Sequence, residues 1–156
     1  SGLHGPAMYA RTGATVTVYG CTFIGSKLDN SALTGGGTIV VGGTLTTYNT
    51  TIKGGDASAV KKNGGNVTIA DGGTFKMYGG SIEGGKVGAS QSGGNIRVDS
   101  GSFYLYDGTV KGGYGNEGGN IAIGRLGTDY HSYKVITAAT CTATGHKNSH
   151  IFSPLM

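Results

Sequence analysis

Charged residues are scarce in this sequence, at 13% of 156 positions, and tryptophan is absent. The 12 lysines and arginines outnumber the 8 aspartates and glutamates, but apart from the pair Lys61-Lys62 they are scattered singly along the chain. Because nucleic-acid binding usually requires basic residues clustered on one face, we expect no nucleic-acid partner. Cysteine is also rare. Cys21 and Cys141 are too few for a disulfide framework, so we expect free or buried thiols.

Long apolar runs are missing as well. No stretch of about 20 apolar residues occurs, which predicts that no helix of this chain spans a membrane. The apolar spacing by three and four positions that marks amphipathic helices is not found either. There is no signal-peptide pattern and the sequence begins at Ser1, so we expect a segment of a longer protein.

The sequence contains instead a glycine-rich block that repeats about every 29 residues. A tyrosine marks each copy, in steps of 29, 30 and 28 residues, at Tyr19, Tyr48, Tyr78 and Tyr106. A second phrase, Gly-Gly-Asn followed by an apolar run, recurs between the tyrosines. A fixed period of this size is typical of solenoids and propellers.

Each repeat contains short runs in which apolar and polar residues alternate. One copy gives Phe75 and Met77, then Ile82, and the next run gives Ile96 and Val98. Residues two apart on a strand face the same side, so this spacing predicts strands with an apolar inner face. Glycine clusters separate the runs, and each repeat is therefore predicted to form three short strands joined by turns.

These features predict an all-β fold, a right-handed parallel β-helix (β-solenoid) of about five coils with about 29 residues per coil. A four-stranded propeller blade would need roughly 40 residues, more than one repeat provides. We assign residues 1–124 to the β-helix repeat domain. Residues 125–156 contain no copy of the repeat. We expect them to form an irregular C-terminal tail, either a cap on the last coil or the start of a following module.

Stacking of the coils in register predicts rows of like residues along the solenoid. Asn66, Asn95 and Asn120 each follow a Gly-Gly pair, and their amides can hydrogen-bond from coil to coil. A second row alternates in charge, and it consists of Lys53, Glu83 and Lys111. Opposite charges on neighbouring strands attract, so this alternation favours one register over its alternatives.

The phrases at residues 64–85 and 93–113 resemble a known family. They are similar to the right-handed parallel β-helix, pectate-lyase-like repeat surface proteins of gut Firmicutes, over residues 36–124. This resemblance implies a secreted or cell-surface location and an adhesive or structural role. The tail at residues 131–146 resembles the opening of a small cysteine-containing repeat of the same proteins. That repeat continues into a Cys-x-x-Cys pair, which this chain lacks, so no metal site is carried over.

Carboxylates are the first candidates for chemistry, because parallel β-helices include polysaccharide lyases and hydrolases. Asp71 and Asp99 follow the third strand of adjacent coils, and Asp107 lies on the next run. They could act as acid and base, and the first two could hold Ca²⁺. Aspartate before glycine or serine is also ordinary turn chemistry, which we favour. Arg97, the one arginine in the middle coils, is predicted to point outward by alternation.

The tail and the outward threonines supply two weaker candidates. The tail could surround Zn²⁺ with four side chains, namely His131, Cys141, His146 and His150. Their spacing lacks a paired-cysteine knuckle, so we favour a solvated or packed tail. Outward Thr-x-Thr pairs resemble those of ice-binding β-helices, but Lys76 and Tyr104 interrupt the array. We therefore expect an ordinary β-surface there.

Aromatic side chains are the best candidates for contact with a partner. Tyr78, Tyr104, Tyr106 and Lys76 are expected on or beside one outward row, where aromatic rings bind glycans and protein surfaces well. We therefore predict a non-enzymatic stalk or adhesin segment whose partner is a glycan or a host surface protein. We expect it to need no cofactor and to be a monomer. The alternatives are a carbohydrate-active β-helix enzyme and a polysaccharide-binding module.

Overall fold

The computed structural model describes residues 5–29, 35–124, 133–137, 142–144 and 151–152. Every regular element in these ranges is a β-strand. In chain order the strands are β1 Met8–Ala10, β2 Thr15–Tyr19, β3 Thr22–Ile24, β4 Ile39–Val41, β5 Thr44–Lys53, β6 Val67–Ile69, β7 Gly73–Glu83, β8 Ile96–Val98, β9 Gly101–Lys111, β10 Ile121–Ile123, β11 Tyr133–Thr137, β12 Thr142–Thr144 and β13 Ile151–Phe152. The predicted all-β class is confirmed.

The strands form two parallel sheets that the chain visits in turn. Sheet A has the order β1-β4-β6-β8-β10-β13. Sheet B has the order β11-β9-β7-β5-β2, with β3 beside β5 and β12 beside β9. All the strand pairs are parallel, and equivalent residues in successive coils are about 29 positions apart, as Val67 and Ile96 are. This arrangement is the predicted parallel β-solenoid.

Two details of the prediction need correction. The solenoid has about four turns rather than five. β10 begins a further turn, and the strands that extend sheet B beyond β9 come from the non-repeating tail. The predicted three strands per coil also become two in the later coils. There the two runs beside the tyrosine join into one strand of 10 or 11 residues, with a register irregularity between Met77 and Ser81.

The core lies between the two sheets and is built from their inward residues. Sheet A contributes pairs such as Val67 and Ile69, and sheet B contributes side chains such as Phe75 and Ile82, all fully buried. The rings of Phe75 and Phe103 meet at 5.2 Å between centroids. Burial of this stack of apolar layers is the main force that holds the coils together.

The outer side of sheet A is also buried from β4 to β10, which the sequence did not predict. Its outward row there consists of Val40, Thr68, Arg97 and Ala122, none of them more than 4% exposed, whereas Tyr9 at the equivalent position of β1 is 46% exposed. The Thr68 hydroxyl donates to the Asn63 carbonyl at 3.1 Å, and the Arg97 guanidinium donates to Ser92 Oγ at 2.6 Å. Arg97 points to the outer side of the sheet, as alternation predicts, but the turn before its strand folds over it and leaves it 4% exposed. A separate apolar cluster lies outside the main core and consists of Leu28, Ala57, Val60 and Val87.

Part of the tail extends both sheets. β11 and β12 pair in parallel with β9, and β13 pairs in parallel with β10. These strands follow their partners by about 30 residues, although they contain no copy of the repeat. The division into a domain that ends at residue 124 and a cap or following module remains a prediction.

Candidate binding surface on the tyrosine face

The tyrosines form one continuous stack on the outer side of sheet B. Ring centroids are 4.9 Å apart from Tyr19 to Tyr48, 4.9 Å from Tyr48 to Tyr78 and 4.6 Å from Tyr78 to Tyr106, with interplanar angles of 7° to 11°. From Tyr19 to Tyr78 this row follows from the fold, because each tyrosine comes one position after an inward residue and these coils are in register. At Tyr78 the register shifts so that its backbone lies opposite Asp107, but its ring still stacks on that of Tyr106. We call these four rings the tyrosine row.

Stacking decides which parts of the rings a ligand can reach. Tyr48 and Tyr78 have a ring against each face, so they present their edges and hydroxyl groups to solvent. Tyr19 has one neighbour and is 70% exposed. A sugar that stacks on an aromatic face therefore has no access to the middle rings, but their edges and hydroxyls remain available for hydrogen bonds.

Lys76 and Tyr104 widen the surface at its C-terminal end. The register places Lys76 opposite Tyr104 on the neighbouring strand, one outward position before the tyrosine row. The ring of Tyr104 lies 5.9 Å from that of Tyr106 at an interplanar angle of 10°. We define the contact surface as Lys76, Tyr78, Tyr104 and Tyr106, which the structure places on adjacent strands of one face.

The ionisation of Tyr78 is affected by its place in the row. Desolvation by its neighbours is the first cause that raises the pKa of Tyr78 above its ordinary value of 10. The phenols of Tyr106 and Tyr48 raise it further, and a hydrogen bond with Tyr106 acts in the same direction. Tyr78 therefore stays a neutral phenol at physiological pH, able to donate and accept hydrogen bonds.

A row of buried asparagines, each directly before a strand of sheet A, joins neighbouring coils by side-chain hydrogen bonds and holds them in register. Asn66 Nδ2 donates to Asn95 Oδ1 at 2.8 Å, and Asn95 Nδ2 donates to Asn120 Oδ1 at 2.7 Å. Asn95 Nδ2 also donates to the Lys111 carbonyl, and Asn95 Oδ1 accepts the Gly85 N–H, both at 2.8 Å. Thr38 takes the same position one coil earlier and donates to Asn66 Oδ1 at 2.9 Å. All four side chains are fully buried.

Glycine is required where the backbone meets this row. A Cβ atom at Gly85 would lie 2.2 Å from the Gly94 carbonyl oxygen and 2.8 Å from Asn66 Nδ2. Neither neighbour is the free end of a flexible side chain, so a larger residue would displace the backbone. The repeated Gly-Gly pair before each turn therefore makes room for the asparagine amides.

Charges alternate along two neighbouring rows. Lys111 Nζ lies 3.4 Å from Glu83 Oε2, and the register sets Lys53 opposite Glu83 on the other side. Isolated bridges form a second row three positions later, which reads Lys27, Asp56, Lys86 and Tyr114. Because the signs alternate in both rows, a slip of one coil would bring like charges together.

The three candidate carboxylates do not converge. Asp71 is exposed in a turn at φ 54°, whereas the Asp99 carboxylate accepts a hydrogen bond from Arg97 Nε at 2.7 Å. Three residues lie between Ile69 and Gly73 but two between Val98 and Gly101, so Asp71 and Asp99 do not occupy equivalent positions. Asp107 lies on β9 beyond six strand residues, roughly 20 Å along the strand from the turn at about 3.3 Å per residue.

The predicted tail ligands His131, Cys141, His146 and His150 lie outside the described residues. Within the described ranges, no three His, Cys, Asp or Glu side chains form a group that could hold a metal ion. No helix in this part of the chain has the length and apolar character needed to cross a membrane. Cys21 is a free, exposed thiol.

Sequence reasoning missed the row of Lys27, Asp56 and Lys86, and the separate apolar cluster beside it. A signal was present, because each of these residues is followed by Leu28, Ala57 or Val87 at the repeat spacing. It also missed Thr38 as the first member of the asparagine row, although Gly-Gly-Thr there aligns with Gly-Gly-Asn in the later coils.

Comparison of the chain with known protein families, curated proteins and solved structures finds no match. The proposed role therefore rests on the chain's own residues and on the geometry of its surface.

Proposed function

We propose that this chain is a non-enzymatic β-solenoid segment of an extracellular protein, which acts as a stalk and binds a glycan through the contact surface. The observation that supports binding is the ordered aromatic face of sheet B, where Tyr104 and Tyr106 lie parallel beside Lys76. Aromatic rings with polar tips provide a large contact area and lose little conformational entropy on binding. The stalk role is supported by the solenoid itself, whose length increases with each added coil.

The surface suggests how a glycan would be held. The rings of the tyrosine row recur every 4.6 to 4.9 Å, close to the spacing between neighbouring strands. An extended polymer lying along the solenoid axis could therefore contact ring edges on successive coils. The Lys76 ammonium adds a charged donor at one point, which would favour an acidic unit there.

A glycan array with the purified chain tests the proposal, followed by turnover assays on each glycan that it retains. We expect retention of at least one polysaccharide without release of reducing ends or unsaturated products, with or without Ca²⁺. Turnover that is abolished by Asp99→Ala would favour the carbohydrate-active enzyme and overturn the non-enzymatic proposal. Failure to retain any glycan would overturn the binding proposal.

A further inference from the structure

One lysine on the outer side of sheet B is surrounded by residues that carry hydroxyl groups. Nine outward positions, three on each of β5, β7 and β9, lie side by side on adjacent strands, and all nine are half-buried. Lys76 is at their centre. The other eight are Thr44, Thr46, Tyr48, Thr74, Tyr78, Ser102, Tyr104 and Tyr106. Every neighbour of Lys76 in this set therefore carries a hydroxyl and none carries a charge. We call these nine residues the hydroxyl patch.

The Lys76 ammonium has no carboxylate partner among the described residues. The ion pairs formed within these ranges join Arg97 to Asp99 and Lys111 to Glu83. The lysine of the second pair thus has its counter-ion on the neighbouring strand, whereas Lys76 has threonine and tyrosine there. A cation that is surrounded by hydroxyls and lacks a counter-ion attracts an anion from outside the chain.

The carboxylate of Asp107 lies beyond the tyrosine row from Lys76. Asp107 is exposed, it follows Tyr106 on β9, and its backbone lies opposite Tyr78, two positions after Lys76. The tyrosine row therefore separates the two charged positions. An anionic ligand meets a favourable charge on the Lys76 side of the row and an unfavourable charge on the other side.

Tyr104 provides a ring face beside this cation. Tyr78 stacks on two rings, whereas among the described residues Tyr104 stacks on Tyr106 alone, at 5.9 Å between centroids. The register places Lys76 opposite Tyr104 and Thr46 opposite Lys76, so the row of Tyr104 has no second ring on β5 or β7. A sugar ring that stacks on Tyr104 therefore has its substituents within reach of a cation and of several hydroxyls.

We propose that the glycan bound by the contact surface is anionic, and that one acidic sugar unit lies against Tyr104 and Lys76. Its carboxylate or sulfate ester pairs with the Lys76 ammonium, its ring stacks on Tyr104, and adjoining sugar hydroxyls bond to the hydroxyl patch. Two strand spacings and two steps of two residues give the patch an extent of roughly 10 Å by 13 Å, which suits a short stretch of polymer. This inference rests on the proposed glycan-binding function and names the class of glycan.

Affinity electrophoresis through polygalacturonate, dextran sulfate or uncharged dextran tests the charge. We expect the chain to bind one of the two charged polymers at least about tenfold more tightly than dextran, and the polymer that is bound distinguishes a carboxylate from a sulfate. Lys76→Gln should weaken that binding by about fivefold to tenfold, because one charge-assisted hydrogen bond is lost. Lys76→Arg should retain it. Lys86→Gln, the matched control, removes the same charge from an exposed position in a different row and should also retain it.

Lys76→Tyr tests the position of the sugar ring. The added ring would stack on Tyr104, as the rings of the tyrosine row stack on one another, and would occupy the space assigned to the sugar. We therefore expect binding to be lost although the aromatic area increases. Thr17→Tyr adds a ring to the same row two strands away and should leave binding unchanged. Circular dichroism checks the fold of each variant, and Lys76→Gln tests the inference independently of this bulky change.

Three results would overturn the inference. They are equal binding of dextran and of both charged polymers, equal losses in Lys76→Gln and Lys86→Gln, and undiminished binding by folded Lys76→Tyr. If the chain shows one of these results and still retains a neutral glycan on the array, the proposed function stands and the anionic class is wrong. Retention of no glycan at all overturns both.

Discussion

At the scale of single residues, the buried polar side chains are the most sensitive points of this fold. Thr47 and Thr50 lie three positions apart on β5, and both side chains are buried. The Thr50 hydroxyl donates to the Tyr48 carbonyl at 3.0 Å. Thr47 Oγ1 has no hydrogen-bond partner among the described residues, at a position where the next coil has Met77. One hydroxyl is therefore satisfied and the other is not, although both are threonines of the same strand.

Thr47→Val should stabilise the chain by about 1 kcal/mol, because it removes a buried hydroxyl that has no partner and keeps a similar shape. Thr50→Val, the matched control, should destabilise it by about 1 kcal/mol, because it removes a hydrogen bond that is made. Urea unfolding of both variants measures the two effects. Loss of stability in Thr47→Val would show that its hydroxyl is satisfied.

Tyr78 should ionise at a higher pH than an isolated tyrosine, because desolvation and the neighbouring phenols raise its pKa above 10. The neutral phenol is the form that the folded state favours. Its contribution to stability is thus complete below pH 10 and is lost as pH rises through the raised pKa. A titration followed by phenolate absorbance should show a late phase that is missing in Tyr78→Phe. A late phase of unchanged size in that variant would assign the effect to another residue.

At the scale of strands and turns, the repeat predicted the most where coils repeat in register. The tyrosine row and the asparagine row both follow from a spacing of about 29 residues, since parallel coils bring equivalent positions together. The burial of Arg97 could not be predicted in this way. Alternation places its side chain on the outer side of β8, but whether that side meets solvent depends on where the turn with Ser92 folds. The two runs beside the tyrosine join into one long strand in β7 and β9, and this also depends on local geometry, the register irregularity between Met77 and Ser81.

The asparagine row makes the turns depend on one another. Asn95→Ala would leave the Gly85 N–H, the Lys111 carbonyl and both neighbouring asparagine amides with lost partners. Because each buried group left unsatisfied costs about 1–3 kcal/mol, we expect a loss of at least about 3 kcal/mol in the free energy of unfolding. Asn116→Ala, at an exposed position, should have a much smaller effect. Similar losses for both variants would contradict a structural role for the row.

At the scale of the whole molecule, the two sheets differ in how much of their outer side is open to solvent. Sheet A is buried on its inner side and through much of its outer side, whereas sheet B leaves its outer side open to solvent along the tyrosine row. The stacked tyrosine side chains therefore lie on one solvent-facing side of the solenoid. The proposed binding stalk would use that side, and the candidate carboxylates, which lie apart, do not form a second centre on it.

The most direct test of this account compares polysaccharide binding by two tyrosine variants, each measured by retention on a panel of insoluble acidic and neutral polysaccharides. Tyr104→Ala removes a ring of the contact surface, whereas Tyr114→Ala removes a 58% exposed tyrosine from a different row. The account predicts that the unmodified chain and Tyr114→Ala are retained on the same polysaccharide and that Tyr104→Ala is released at least about tenfold more readily, as expected for loss of a contact of about 1.4 kcal/mol. Equal retention of both variants, or loss of retention in Tyr114→Ala alone, would contradict it.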